Sequence, residues 1–151
     1  MKRSIVSGYF NPLHGGHLDM IEAARLLGDY LIVVVNNDKA QVLKKGKVIL
    51  DEKNRMRLMR SLRLVDEVIL SIDEDLGQAR TLREIRGLYP DDELVFANGG
   101  DRDPNKHALP ESEMQAITDC NIEAVFGVGS HVVEKRDSSS RINQETGHET
   151  A

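Results

Sequence analysis

Tyr30-Leu31-Ile32-Val33-Val34-Val35 is an unbroken apolar hexapeptide, closed by Asn36-Asn37-Asp38. A half-buried strand alternates apolar with polar residues, so a continuous apolar run bounded by turn residues marks a strand covered on both faces, the habit of parallel sheets. Toward the N-terminus lies a second short strand, Ser4–Ser7. Between the two, Leu18, Ile21, Ala24 and Leu27 recur at helical spacing and predict a helix over 17–27, stopped by Gly28. Toward the C-terminus a Lys/Gly-rich loop follows Asp38. Asp51 then caps a helix with Met56, Met59 and Leu62 on its core side. A third strand is predicted over 65–71, and a helix through Leu76, Ala79, Leu82, Ile85 and Leu88 closes before Pro90. Leu94–Ala97 is a fourth strand opening into Asn98-Gly99-Gly100-Asp101. Pro110 starts a short helix to Ile117, Ile122–Phe126 is a fifth strand, and Ser138–Ser140 opens a last helix. Strands alternating with helices require crossover connections. The expected fold is therefore a single α/β domain, a Rossmann-like, doubly wound, five-stranded parallel sheet over residues 1–142, followed by a polar, disordered tail at 143–151.

Composition narrows the function classes. The chain has 151 residues, is 40% hydrophobic and 30% charged, and carries a formal net charge of -5. That balance argues against a general nucleic-acid binder. Cys120 is the one cysteine, which permits no intrachain disulfide and suits a reducing compartment. Met1-Lys2-Arg3 runs into an apolar stretch too short for a signal peptide, and no stretch reaches membrane-spanning length. A cytoplasmic protein without membrane partners is the expectation. Between Lys39 and Arg63 lie nine Lys or Arg against two acids, Asp51 and Glu52. A basic island in an acidic chain points to a small anionic ligand rather than a polyanion.

The segment joining the first strand to the first helix carries the chemistry: Gly8-Tyr9-Phe10-Asn11-Pro12-Leu13-His14-Gly15-Gly16-His17. Glycines permit close backbone approach and a tight entry into the helix. Histidines three apart in a first helical turn lie on nearby faces, at the positive end of the helix, where they can donate to phosphate oxygens. Metal ligation is the competing use of two histidines, but no Cys, Asp or Glu stands at a supporting spacing, so no metal ligands are assigned. In open parallel sheets ligands bind beyond the carboxyl ends of the strands, and every candidate motif falls there.

The run Gly8-Tyr9-Phe10-Asn11-x-x-His14-x-Gly16-His17 resembles the first motif of the cytidylyltransferase-like nucleotidylyltransferase superfamily. The similarity continues through Ala24-Arg25-x-Leu27-Gly28-Asp29-Tyr30-Leu31, Val35-Asn36-Asn37-Asp38, Arg55, Arg63-x-Val65-Asp66-Glu67-Val68, Gly99-Gly100-Asp101 and Ser138-Ser139-Ser140-Arg141-Ile142. The resemblance implies transfer of CMP or AMP from CTP or ATP to a small phosphorylated alcohol or sugar phosphate, with release of pyrophosphate and no covalent intermediate. It implies His14 and His17 on the triphosphate and a catalytic lysine from the Lys44-Lys45-Gly46-Lys47 loop, Lys44 in first place and Lys45 in reserve. Arg55 and Arg63 would hold the acceptor's phosphate. Gly8, Tyr9, Phe10, Asn11, Gly16, Gly100, Asp101 and Ser138, Ser139 and Ser140 would line the nucleotide. Mg²⁺ would accompany the triphosphate, and a homodimer is compatible with the apolar sheet edges.

This chain departs from the pattern at three places. Asn11 replaces a common acid, although other branches carry Asn there. No arginine stands in register before Ser138, leaving Lys135 or Arg136 as substitutes, and the stretch 126–136 is long and glycine-rich. Arg55 and Arg63 lean toward glycerol-3-phosphate cytidylyltransferases and CTP, whereas Val35–Asp38 and Gly99–Asp101 lean toward heptose-1-phosphate adenylyltransferases. A nucleotide-binding regulator without turnover is the alternative from another class.

Overall fold

The computed structural model describes residues 1–11, 13–75, 77–99 and 110–129. In chain order the elements are β1 (Lys2–Gly8), α1 (Gly15–Arg25), β2 (Tyr30–Val35), α2 (Asp38–Lys45), α3 (Glu52–Arg60), β3 (Glu67–Leu70), α4 (Ala79–Leu88), β4 (Glu93–Gly99), α5 (Glu111–Asp119) and β5 (Glu123–Val128). All strand pairs are parallel, in the order β3-β2-β1-β4-β5. The chain winds outward from β1 to β3, then crosses back to build β4 and β5 on the other side. The doubly wound α/β architecture expected from the apolar hexapeptide is the one observed.

β2 shows why. Leu31, Val33 and Val35 enter one core with Ile21 and Ala24 of α1 and Met59 of α3. Ile32 and Val34 enter a second core with Leu82 and Ile85 of α4. Each of these five β2 side chains is at most 1% exposed, so period-2 geometry sends every apolar residue into one of two cores. At the amino end, Gly28 lets the backbone cross close to β1: a Cβ there would lie 2.7 Å from Lys2 O, and Asp29 N–H donates to that same oxygen at 2.7 Å.

Several boundaries differ from the sequence expectation, each for a local reason. α1 starts at Gly15 rather than residue 17 because His14 is its N-cap, a role histidine seldom takes. It ends at Arg25 with Leu26 as C-cap, and Leu18 is 40% exposed rather than on the core stripe. The Lys/Gly-rich loop is largely the helix α2. Asn37 caps it through Ala40 N–H, Lys44 and Lys45 occupy its last turn, and Gly46 closes it at φ 78, where a left-handed residue ends a helix well. β3 is shorter than expected, and α4 starts at Ala79. The helix expected from Ser138 and the tail at 143–151 lie outside the described residues.

The reversal of strand order puts a crevice at the carboxyl ends of β1 and β4. β1 ends at Gly8 and α1 begins at Gly15, so the glycine- and histidine-rich segment sits at this crevice.

Candidate active site

α1 opens with an unusual cap. His14 Nδ1 accepts from Gly16 N–H at 3.1 Å, and His17 Nδ1 accepts from His14 N–H at 3.3 Å. The two histidines thereby complete a reciprocal capping box, the arrangement usually built from Ser or Thr with Glu or Gln. An imidazole nitrogen that accepts must keep its lone pair, so this cap leaves Nε2 of each ring as the nitrogen that can donate. The rings stack with centroids 3.9 Å apart and 26° between planes. Phe10 meets His17 edge-on at 5.0 Å. One helix N-terminus thus presents two oriented Nε2–H donors beside its own amides, an array suited to phosphate oxygens.

The loop beneath this pair is held from three directions. Phe10 is 1% exposed at φ 53, and a Cβ on Gly8 would lie 2.9 Å from Phe10 Cζ, so glycine at 8 makes room for the ring that supports His17. The Phe10 side chain is part of the core beneath β1 and α1. Asn11 is also 1% exposed. Its Nδ2 donates to Gln41 Oε1, and Gln41 Oε1 also accepts from Ile49 N–H at 2.9 Å. The Gln41 Nε2 donates to Asp38 Oδ1 at 3.2 Å and to Leu50 O at 3.3 Å. Gln41, fully buried, is a site residue that the sequence reading missed. The available signal was that Gln41 and Lys45 share one face of α2 at i, i+4 spacing.

Of the two lysines, Lys45 is the anchored one. It is 6% exposed, its Nζ donates to Asn11 O at 3.4 Å, and it lies 5.6 Å from the Tyr9 ring centroid. Burial, with Lys44 and Arg55 nearby, holds its pKa below the ordinary lysine value. Lys44 is exposed with Nζ 4.9 Å from the same ring. Tyr9, Asn11, Lys44 and Lys45 therefore gather at one corner, with Tyr9 OH donating to Ala40 O at 3.4 Å.

Arg55 occupies a different place from the one expected of an acceptor-phosphate ligand. Its side chain is fully buried. Nε donates to Leu50 O at 2.8 Å, Nη1 to Tyr9 O at 3.0 Å and Asn36 O at 2.6 Å, and Nη2 to Asp38 Oδ1 at 2.8 Å. Four of the five guanidinium hydrogens are thus committed to the protein. Arg55 is a strut joining the first-motif loop, the end of β2, the start of α2 and the segment before α3. Arg63 is exposed and precedes β3 at the amino edge of the sheet, where Asp66 N–H bonds Leu31 O. The four residues of β3 alone place it about 13 Å from the carboxyl edge, so within one chain it does not join the site. Gly16 lies in the first turn of α1. Gly100, Asp101, Ser138, Ser139 and Ser140 lie outside the described residues. Among the described residues no group of three or more His, Cys, Asp or Glu is arranged to hold a metal ion, and no helix is long and apolar enough to cross a membrane.

A sequence model described as cytidylyltransferase-like matches residues 5–144. The chain belongs to the cytidylyltransferase-like family. It is 37% identical over 111 residues to a protein named FAD synthase from Ferroglobus placidus, an alignment covering 74% of this chain and 67% of that one. It is 39% identical over 69 residues to a glycerol-3-phosphate cytidylyltransferase from Bacillus subtilis, covering 46% and 54%. A solved structure of a lipopolysaccharide core biosynthesis protein from Thermoplasma volcanium superposes with a TM-score of 0.60 at 28% identity, over 84% of this chain and 94% of that one. Together these make the chain a nucleotidyltransferase.

Proposed function

We propose that the protein transfers a nucleotidyl group from ATP or CTP to the phosphate of a small phosphorylated acceptor, releasing pyrophosphate. The observation that carries this reading is the histidine capping box, which presents two Nε2–H donors at a helix N-terminus beside the strand-order reversal. An oxygen of the acceptor's phosphate attacks the α-phosphorus; the new O–P bond forms as the bond to the β-phosphate bridging oxygen breaks, and pyrophosphate departs with that electron pair. The chain's part is positioning and charge neutralisation. His14 and His17 donate to the triphosphate, Lys45 and Lys44 add positive charge from α2, and the Gln41–Asn11 and Arg55 contacts hold those groups in register. Mg²⁺ enters with the triphosphate as part of the substrate, screening its charge through phosphate oxygens.

The leading substrate pair is ATP with flavin mononucleotide, because the relatives named FAD synthase align over the longer stretch of this chain. CTP with glycerol 3-phosphate is the second reading, favoured by the shorter match at 39% identity. The deciding experiment is pyrophosphate release from each triphosphate with each acceptor in the presence of Mg²⁺. His17→Ala is expected to lower kcat/KM about 100-fold or more, the usual loss for an oriented donor to a developing oxyanion. Wild-type turnover in His17→Ala would overturn the role of the pair.

A further inference from the structure

The carboxyl edge of the sheet carries side-chain amides that the steps above leave unused. Asn36 directly follows β2, and Gln78 directly precedes α4. Each is 6% exposed, and Gln78 Nε2 donates to Asn36 Oδ1. The Asn36 backbone is fixed at both ends, its N–H donating to Gly8 O at 2.9 Å and its carbonyl accepting from Arg55. Gln78 is not needed to cap α4. It makes no side-chain cap hydrogen bond, because Asp73 already accepts from Arg80 N–H at 2.8 Å and Thr81 N–H at 2.9 Å. Its Oε1 is buried with no hydrogen-bond partner among the described residues. Native proteins rarely keep a buried carbonyl oxygen without a donor unless something outside the chain supplies one.

In-line transfer decides which substrate that is. The attacking and leaving oxygens stand on opposite sides of the α-phosphorus. The capping histidines belong to α1, which packs on the Leu31–Val33–Val35 face. Gln78 belongs to the start of α4, which packs on the opposite, Ile32–Val34 face. With the leaving pyrophosphate at α1, the attacking phosphate approaches from the α4 side. Resting on the function proposed above, we infer that Gln78 Oε1 accepts a hydrogen bond from the acceptor. The group it reads is an uncharged donor at the acceptor's non-phosphate end, a hydroxyl of a polyol phosphate or the imide N–H of a flavin. Asn36 holds the amide in orientation, and the neutrality of both side chains suits a neutral donor rather than a second phosphate.

The test compares wild type with Gln78→Met and Gln78→Ala, using flavin mononucleotide with ATP and glycerol 3-phosphate with CTP. Both variants are expected to raise the acceptor KM about 10- to 100-fold, as when a buried hydrogen-bond partner is lost. The triphosphate KM should stay near wild type, while loss of the donor to buried Asn36 Oδ1 lowers the urea midpoint by about 0.5–1.5 M; a rise confined to the acceptor KM in the folded variants separates recognition from misfolding. Unchanged acceptor KM in both variants, or a rise in triphosphate KM instead, overturns the assignment while leaving the transfer reaction intact. A wild-type protein inert with both acceptors overturns the proposed function and this assignment together.

Discussion

Replacing Arg55 separates two accounts of the same residue. As an acceptor-phosphate ligand its loss would weaken one substrate and leave the fold alone. As the strut seen here, its loss should damage the fold and both substrates. Arg55→Met keeps length and removes four hydrogen bonds, to Leu50 O, Tyr9 O, Asn36 O and Asp38 Oδ1. Leu50 and Tyr9 are half-buried and recover some hydration, whereas Asn36 is buried. One stranded buried acceptor is worth about 1–3 kcal/mol, and breaking a buried ion pair from one side about 3–5 kcal/mol. Because Asp38 keeps partial access to water, the sum is about 4 kcal/mol, a large share of a typical stability of about 5–15 kcal/mol. With an m-value of about 2 kcal/mol/M, the urea midpoint should fall by about 2 M. Arg55→Lys offers one ammonium to four spread acceptors and should lose about half as much. Kinetics on the variants that remain folded should show kcat/KM reduced for triphosphate and acceptor alike, since Tyr9 and α2 both lose their tether. A midpoint within about 0.5 M of wild type, with only the acceptor KM raised, would refute the strut and restore the phosphate-ligand role.

Asn11→Asp places a carboxylate against Gln41 Oε1, which already accepts from Ile49 N–H. Flipping the Gln41 amide would forfeit its bonds to Ile49 N–H, Asp38 Oδ1 and Leu50 O. The expected result is a loss of about 1–3 kcal/mol in urea unfolding, restored in part by adding Gln41→Lys. At the opposite edge, Tyr30 OH donates to Glu67 Oε1 at 3.0 Å and Tyr89 OH donates to the same oxygen. The bond to Glu67 and burial push the Tyr89 pKa well above the ordinary tyrosine value. The folded state therefore holds the Tyr89 proton more tightly than the unfolded chain, so this contribution is full below pH about 10 and declines as pH rises above it. Urea titrations at rising alkaline pH should show a steeper loss for wild type than for Tyr89→Phe, and parallel curves would contradict the coupling.

What was legible in the sequence follows from how far each signal reaches along the chain. The two-faced burial of β2 and the Asp51 cap of α3 depend on a few neighbouring residues, and both stand as expected. α2 was hidden because its amphipathicity is inverted: Gln41 and Lys45 are buried, while Val42 and Leu43 are 47% and 60% exposed. A reader who assigns polar residues to the solvent puts that helix the wrong way round or misses it. Its inward polar face is stable only because the partners come from elsewhere, Asn11 from the first loop and Ile49 and Leu50 from the segment before α3. Arg55 illustrates the same dependence more sharply. Motif position places it correctly near the site, but its acceptors at residues 9, 36, 38 and 50 meet only after the sheet has assembled. A guanidinium is tolerated in a core when nearly all its donors are matched. That condition links the arginine to the geometry of three backbone segments at once, so its place is to hold the loop that leads into the histidine-capped start of α1.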